Sequence, residues 1–294
     1  MYSKVVTGLL CQALFVAGAS VNVERRGETN QTVAANNDAE NDGVITIKMQ
    51  LGPQARGTSW WSWAFDNEDW SKTPYVTESI STIYESKVVT AASIAGAAHP
   101  ITFSNEALSV NVINNECWVS IAGSGDVQDW IDNLNLGTDA IYYNGQYVGR
   151  GFDGFVNGYN EYFSLGMNGV VDQSCSGVSK INFVGYSRGA GIANILAAAY
   201  YQFSTYNVEL YTFASPRAFD VATSDSFHMR FPQIRVMNDE DVVTSVPFSA
   251  WGFKHMGDVV CLNCRETGRN SEESGSIIAH LFYNYAAAVN SLLG

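Results

Sequence analysis

The stretch "INFVGYSRGAGIANILAAAYY", residues 181–201, sets the narrowest limits on the fold. An apolar, β-branched run that is typical of a buried strand passes directly into an alanine-rich helix. Between them, "GYSRG" at residues 185–189 fits the G-x-S-x-G pattern of a sharp strand-to-helix turn. Such a turn presents the Ser187 hydroxyl as a nucleophile at the positive end of the helix dipole. The alternative is that Ser187 only caps the helix.

Strands and helices alternate along the rest of the chain. "ALSVNVI", "CWVSIAG", "VELYTFA", "QIRVMN" and "GDVVCL" are typical of strands, whereas "GFDGFVNGYNEYFSLGMNGVV" and "IIAHLFYNYAAAVNSLL" each have the spacing of one helix. Alternation of this kind predicts a mostly parallel central sheet with helices on both faces. Combined with the serine turn, it predicts an α/β-hydrolase fold.

The N-terminal segment is typical of an export signal. Residues 1–19 combine a basic start, an apolar run and the small-residue pattern "AGA", which predicts a signal peptide and secretion. Residues 20–43 are polar and predict a disordered leader or pro-segment, with an N-glycosylation sequon at Asn30. The arginine pair at 25–26 is a candidate processing site, although an unprocessed tail fits equally well. Residues 44–294 contain no dividing linker or repeat and predict a single domain.

Charge excludes nucleic acid as a partner, and the length of the apolar runs excludes a membrane span after the export signal. The chain is 46% hydrophobic, as in globular proteins, and its formal net charge is −13 at pH 7. Because nucleic-acid binding needs a basic surface, we set that class aside. No segment after the export signal approaches the roughly 20 apolar residues of a membrane span, so none is predicted.

The cysteines indicate an oxidising compartment. Cys117, Cys175, Cys261 and Cys264 remain beyond the signal peptide, and an even number favours disulfides, with three pairings open. We expect a local Cys261–Cys264 bridge, which leaves Cys117–Cys175. The "CLNC" pair also fits half of a redox or zinc site, but no second CxxC and no nearby histidine pair supports a metal, so we predict none.

A serine nucleophile needs a base and an acid further along the chain. In this fold the order is serine, acid, histidine, which excludes His99. His228 precedes the strand "QIRVMN", which runs into the acid candidates at residues 239–241, so it is excluded by the same order. Of the two remaining histidines, His280 follows the last strand and is the predicted base. His255 precedes that strand and is expected to be structural.

Several further blocks, in one order, carry a resemblance to a known family. Over roughly residues 80–294 the chain resembles the fungal-type secreted triacylglycerol lipases, the class 3 α/β-hydrolases. The blocks are "VSIAGSGDVQDWIDNLNL", "GQYVGRGFDGFVNGY", "FVGYSRGAGIANILA", "LYTFASPRAFD", "IRVMNDEDVVTSVPF", "FKHMGDVV" and "AHLFYNY". The last is similar to the family's [AD]-H-x-x-Y-[FW] block, whereas "FKHMGDVV" is similar to a Y-x-H-x-G-x-E block that is not catalytic.

The resemblance implies a role for each site residue. It places the catalytic acid on Asp241 and agrees with Ser187 and His280 as the nucleophile and base. It assigns the oxyanion hole to the backbone N–H groups of Ser124 and Arg188. The alternative for Ser124 is an ordinary turn serine.

The resemblance also implies an amphipathic lid at "GDVQDWIDNL". On a helix the apolar side chains would share one face, which covers the site in water and turns toward lipid at an interface. A helix packed permanently on the body would give the same pattern. These candidate lid residues are Val127, Trp130, Ile131 and Leu134.

The chain departs from the family pattern close to the serine. Tyr186 and Arg188 stand where the family commonly has His and Leu, and Gly149 replaces the His of a V-H-x-G-F block. The cationic side chain of Arg188 would either disfavour a purely apolar acyl pocket or turn away into an ion pair. These departures concern the substrate more than the chemistry.

The implied function is that of a secreted serine ester hydrolase, a triacylglycerol lipase first of all. It would need no cofactor and would act on a lipid or another ester, with an oil–water interface as its setting. A phospholipase A1 and a feruloyl-type carboxylesterase remain alternatives, because one scaffold serves all three. A secreted lipid-binding protein without activity is the alternative from a different class.

Overall fold

A computed structural model of the chain describes residues 22–24, 46–48, 82–103, 106–123, 137–238, 241–262 and 279–291. The helices within these ranges are α1 (Thr82–Ala95), α2 (Asp153–Ser164), α3 (Met167–Ser174), α4 (Arg188–Phe203), α5 (Val221–Phe227) and α6 (Phe282–Ser291). None of them is long and apolar enough to cross a membrane.

The strands within the described ranges form three sheets. The strands are β1 (Asn22–Glu24), β2 (Thr46–Lys48), β3 (Ile101–Phe103), β4 (Glu106–Ile113), β5 (Glu116–Ile121), β6 (Thr138–Tyr143), β7 (Gln146–Phe152), β8 (Lys180–Tyr186), β9 (Asn207–Phe213), β10 (Phe219–Asp220), β11 (Gln233–Asn238), β12 (Phe253–Lys254) and β13 (Asp258–Leu262). The central sheet has the order β13-β11-β9-β8-β5-β4-β3, a second sheet has the order β12-β10-β7-β6, and β1 pairs with β2.

The central sheet is mostly parallel, as predicted. Strands β13, β11, β9, β8 and β5 pair in parallel, and antiparallel β4 and β3 complete one edge. Strands β8 and β11 therefore direct their carboxyl ends to the same edge of the sheet. In parallel α/β sheets this is the edge at which ligands and reactive groups collect.

Helices cover both faces of the sheet, which confirms the predicted layers. Adjacent residues of β8 point to opposite faces, so Phe183 joins one apolar cluster and Val184 joins another. The first cluster includes buried side chains of α2 and α4, and the second includes those of α1 and α6. The sheet is therefore buried from both sides, as the apolar β8 sequence requires.

Two local predictions need correction. The stretch predicted as one helix begins within β7 and then forms α2 and α3, which are separated at Gly166 by its left-handed backbone, with φ of 85°. The β6–β7 hairpin was also not predicted, although its Asn144-Gly145 turn carries the usual signal, with φ of 48° and 79°. Periodicity alone did not separate these short elements.

One of the expected disulfides is present. Cys117 and Cys175 are bonded, and both are fully buried. The bond joins the start of β5 to the residue that follows α3, which confirms this pairing. The predicted Cys261–Cys264 bridge involves a residue outside the described ranges and stays a prediction. The same holds for the division into signal peptide, leader and domain.

Four charges cluster at the end of the sheet opposite the serine turn. The Nζ atoms of Lys87 and Lys180 lie 2.7 and 2.9 Å from the carboxylate of Glu209, and Lys87 also contacts Glu116 at 3.2 Å. The hydroxyl of Tyr211 donates to Glu209 as well, at 2.7 Å. Burial alone would raise the pKa of Glu209, but the hydrogen bonds from Lys87, Tyr211 and Lys180 bring it below its ordinary value.

Replacing Glu209 with glutamine should therefore destabilise the fold. We expect the free energy of unfolding at pH 7 to fall by about 1–3 kcal/mol, because both lysines lose one of their two charged acceptors and keep only Glu116. A lowered folded-state pKa contributes stability above the unfolded value, near 4.3, which is lost as pH falls through the folded value. Urea unfolding of Glu209→Gln should show less loss of stability on acidification than the parent protein does.

The matched control is Asp225→Asn, which removes the exposed ion pair with Lys254. Exposed pairs contribute little, so we expect a change within about 0.5 kcal/mol. Equal losses in the two variants would contradict the stabilising role of the buried cluster.

Arg235 is a second buried charge, and it has no ion pair among the described residues. Arg235 is 4% exposed, its Nη1 lies 3.9 Å from the Sδ of Met237, and its Nε has no hydrogen-bond partner among the described residues. Burial and the neighbouring Arg217 lower the pKa of Arg235. Val259 pairs with Arg235 in the register of β11 and β13. The Y-x-H-x-G-x-E pattern that residues 253–259 resemble has glutamate at this position.

Substitution of Val259 by glutamate should stabilise the protein, because a carboxylate opposite Arg235 would pair a buried charge that has no ion pair among the described residues. We expect a gain of about 1–3 kcal/mol in the free energy of unfolding at pH 7, measured by urea titration. Val259→Gln is the control of matched size and should give no such gain. A glutamate variant no more stable than the glutamine variant would contradict this account.

Candidate active site

The backbone of Ser187 is strained at the end of β8. Its φ is 58° and its ψ is −130°, a conformation that costs a non-glycine residue on the order of 1–3 kcal/mol. Its N–H donates to the carbonyl of Phe213 at 3.1 Å, which continues the pairing of β8 with β9 up to the turn. The side chain of Ser187 makes no capping hydrogen bond to α4, so the helix-cap alternative is excluded.

The two glycines of the turn are needed for close approach. A Cβ atom at Gly185 would lie 2.5 Å from the carbonyl oxygen of Gly189. A Cβ atom at Gly189 would overlap the carbonyl oxygen of Ile121 and lie 2.5 Å from that of Ala122. Helix α4 therefore begins in contact with the ends of β8 and β5, and side chains at either position would push it away.

The structure brings the three predicted reactive residues together. The Nε2 atom of His280 lies 2.8 Å from the Oγ of Ser187, and its Nδ1 lies 3.0 Å from both carboxylate oxygens of Asp241. All three side chains are fully buried. Because an ionised carboxylate only accepts, Nδ1 carries the proton and Nε2 is free to accept the serine proton. This is the geometry of a nucleophile, a base and an orienting acid.

Asp241 follows β11 and is held by several donors. Its Oδ1 accepts from the N–H of Val243 at 2.8 Å, at the start of the 3₁₀ helix Val242–Ser245. Its Oδ2 accepts from the hydroxyl of Tyr285, which in turn accepts from the N–H of Asn238 at 3.0 Å. The carboxylate is therefore fixed in orientation while it faces His280.

His280 lies on the short segment before α6. The side chain of Asn238 donates to the carbonyl of Ala279 at 3.0 Å, which ties this segment to the end of β11. The hydroxyl of Tyr186 donates to the carbonyl of His280 itself. The closing helix begins at Phe282, so His280 precedes it and does not lie on its first turn.

The other three histidines lie elsewhere. His255 contacts the carbonyl of Thr244 through Nε2 at 2.8 Å, and burial together with Arg235 and Arg217 lowers its pKa well below the ordinary value. His99 contacts the hydroxyl of Ser120, and His228 accepts from the N–H of Gly257. Elimination by chain order therefore selected the histidine that meets Ser187.

Arg188 turns away into an ion pair, which was one of its two predicted alternatives. Its Nη2 pairs with the Oε1 of Glu106, the first residue of β4, whose side chain is 4% exposed. Gly158 of α2 leaves room for this pair, because a Cβ there would lie 2.7 Å from the guanidinium. As the first residue of α4, Arg188 has a backbone N–H without a partner inside the helix.

The predicted oxyanion donor Ser124 and the predicted lid lie outside the described residues. Ser124, Val127, Trp130, Ile131 and Leu134 all fall there. Gly123, directly before them, lies against the serine turn: a Cβ there would be 3.0 Å from the carbonyl oxygen of Tyr186 and 3.6 Å from the Cβ of Ser187. Among the described residues, no group of three His, Cys, Asp or Glu side chains is arranged to hold a metal ion.

Sequence reasoning missed the supporting residues. Tyr285 was not singled out, although it follows His280 by five residues on a predicted helix. Glu106 also gave no signal, because nothing in the sequence pairs it with Arg188.

At Gly149, where the family has histidine, a Cβ would overlap the Cγ2 of Thr223, so the departure is explained by local packing.

The sheet topology, the strand–serine–helix turn and the adjacent histidine and aspartate define the class as an α/β-hydrolase. Residues 118–251 match the family model described as Lipase (class 3). The lipase of Rhizomucor miehei is 29% identical over 147 residues, which are 48% of this chain and 40% of that protein. The secreted mono- and diacylglycerol lipase 1 of Fusarium solani is 28% identical over 151 residues, which are 48% of this chain and 42% of that protein.

The solved triacylglyceride lipase of Rhizomucor miehei superimposes with a TM-score of 0.55 at 18% identity, covering 69% of this chain and 94% of that one. Residues 118–251 are therefore similar to the class 3 lipase family, and the structural match shows the same fold. The sequence matches span less than half the length of the two curated relatives.

Loss of the Tyr285 hydroxyl should weaken the fold around the site. Tyr285→Phe removes a donor to Asp241 and leaves the buried N–H of Asn238 without its acceptor, so we expect a loss of about 1–3 kcal/mol in urea unfolding. Tyr283→Phe, on the same helix and 41% exposed, is the control and should change stability by no more than about 0.5 kcal/mol. Similar losses in both variants would contradict a specific role for the buried hydroxyl.

Proposed function

We propose that this protein is a secreted serine ester hydrolase that cleaves lipid esters, with triacylglycerols as its preferred substrates. The observation that carries the proposal is the contact of Ser187 with His280, and of His280 with Asp241, at a strained turn in a buried site. The match of residues 118–251 to the class 3 lipase model supports a lipid ester as the substrate class.

The first half-reaction transfers the acyl group to the enzyme. The Oγ of Ser187 attacks the ester carbonyl carbon while Nε2 of His280 takes the hydroxyl proton. Asp241 holds the imidazole in the required tautomer and stabilises the imidazolium that forms. The imidazolium then gives its proton to the alcohol oxygen as the carbon–oxygen bond breaks, which releases the alcohol and leaves an acyl-serine.

The second half-reaction releases the acid. Water gives a proton to Nε2 of His280 as its oxygen attacks the acyl-serine carbonyl. The proton passes to Oγ of Ser187 as the ester bond to the enzyme breaks. The enzyme returns to its starting state, and the net reaction is ester plus water to acid plus alcohol.

The carbonyl oxygen becomes negatively charged in both steps. The proposed donors to it are the N–H of Arg188, at the N-terminus of α4, and the N–H of Ser124. The Arg188 side chain is held by Glu106 on the side of α2, so we assign it no contact with substrate.

Secretion and an interfacial substrate belong to the same proposal. The N-terminal signal pattern agrees with the secreted character of the Fusarium solani relative. The apolar residues between 127 and 134 are proposed to form a lid that contacts lipid.

Covalent labelling tests the nucleophile. A serine-directed alkyl phosphonate should modify the parent protein at Ser187, as mapped by peptide mass spectrometry, and should leave Ser187→Ala unlabelled. Ser187→Ala should lose ester hydrolysis on the order of 10⁶-fold in kcat while remaining folded by circular dichroism. Ser164→Ala, at an exposed helix end, is the control and should keep full activity.

Substrate comparison tests the class of ester. We expect faster hydrolysis of a triacylglycerol emulsion than of phospholipid vesicles or a soluble feruloyl ester. A preference for either of the latter would replace the triacylglycerol assignment, and a parent protein that neither labels nor turns over any ester would favour the lipid-binding alternative.

A further inference from the structure

Tyr186, the residue before the nucleophile, contacts His280 in two ways. Its hydroxyl donates to the main-chain carbonyl of His280. Its ring stacks on the imidazole, with ring centroids 5.0 Å apart and an interplanar angle of 22°. One side chain therefore contacts both the backbone and the ring of the proposed base.

The ring of Tyr186 is itself held in place. Phe282 meets it edge-on with centroids 5.0 Å apart at 77°, and Tyr285 lies 6.2 Å away at 68°. Phe282 also fills the space over Gly96 at the end of α1, since a Cβ there would overlap its ring. Tyr186 is consequently enclosed by aromatic side chains and has little freedom to turn away from His280.

The position of Tyr186 in the chain gives these contacts their effect. Tyr186 is the last residue of β8 and pairs with Phe213 of β9, so its backbone is fixed to the centre of the sheet. The next residue is Ser187. A link from Tyr186 to His280 therefore sets the separation between the nucleophile and the base through a single side chain.

Two properties suit Tyr186 to this task throughout a reaction cycle. Burial and the nearby Asp241 carboxylate raise the pKa of Tyr186 well above its ordinary value, so its hydroxyl remains a donor. The imidazolium that forms during acyl transfer would lie against the face of an aromatic ring, and such contacts stabilise a cation.

We propose that Tyr186 is a positioning residue for His280: its hydroxyl fixes the His280 backbone, and its ring orients the imidazole toward Ser187. The proposal rests on the proposed ester-hydrolase function and deepens it. It also gives a role to one of the two side chains in the turn that depart from the family pattern.

Three substitutions separate the two contacts. Tyr186→Phe keeps the ring and removes the hydroxyl, Tyr186→Leu removes both, and Tyr186→Trp restores a stacked ring without the phenol. We expect kcat to fall roughly tenfold in the first and roughly a hundredfold in the second, with KM nearly unchanged, because misplacement of the base affects the reacting geometry and not substrate binding. Partial recovery in Tyr186→Trp relative to Tyr186→Leu is expected. Tyr201→Phe, at an exposed tyrosine of α4, is the control.

The rate of phosphonate labelling gives a second kinetic measurement. Labelling of Ser187 needs the serine–histidine pair but no particular acyl or alcohol group. Its rate should fall by the same factors as kcat in the Tyr186 variants, measured on protein whose folded fraction is fixed by circular dichroism. Falls that match only the unfolded fraction, or a rise in KM with unchanged kcat, would overturn the positioning role.

A spectroscopic measurement separates this proposal from the proposed function. In protein labelled with ¹⁵N-histidine, the His280 Nδ1–H proton beside Asp241 should resonate far downfield. Removing the Tyr186 ring should shift and broaden that resonance, whereas Tyr201→Phe should leave it unchanged. The resonance is measured without substrate, so it does not depend on ester hydrolysis. An unchanged resonance in Tyr186→Leu overturns the positioning role. Failure of the parent protein to label or hydrolyse esters overturns the proposed function alone.

Discussion

The strained backbone of Ser187 is the constraint on which the rest of the site depends. A non-glycine residue with φ of 58° persists only where its neighbours leave it no alternative. Here the neighbours are β8, β5 and the first turn of α4, which approach so closely that Gly185 and Gly189 admit no Cβ. The central sheet and one helix thus hold the serine hydroxyl at a fixed point, and the side chains of His280 and Asp241 are brought to it.

His280 and Asp241 are fixed by a network of buried polar contacts rather than by apolar packing alone. Tyr285 links Asp241 to the backbone of Asn238, and Asn238 links the end of β11 to the segment that carries His280. Each donor satisfies a group that would be costly to leave unpaired inside the protein. The network therefore couples the stability of the closing helix to the geometry of the site.

Both variable positions of the serine turn are occupied by large polar side chains with defined partners. Tyr186 reaches His280 across the site, and Arg188 reaches Glu106 in the direction of α2. The guanidinium is thus paired with a buried carboxylate. Arg235, by contrast, is buried without a carboxylate among the described residues, so the chain does not compensate its interior charges uniformly.

The sequence by itself determined the alternation of strands and helices and the sharp turn at Ser187, because periodicity and glycine placement are local properties. It also determined the choice of His280, because the order of residues along the chain is read directly from the sequence. It did not determine the break between α2 and α3, the contact of Tyr285 with Asp241 or the pairing of Arg188 with Glu106. These depend on how distant segments pack: residues 82 positions apart in the case of Arg188 and Glu106 meet only when β4 and α4 are brought together by the sheet. The sequence thus predicted the three side chains that meet at the turn, Ser187, His280 and Asp241, with Asp241 placed by the family resemblance. Only the tertiary structure decided what holds them there.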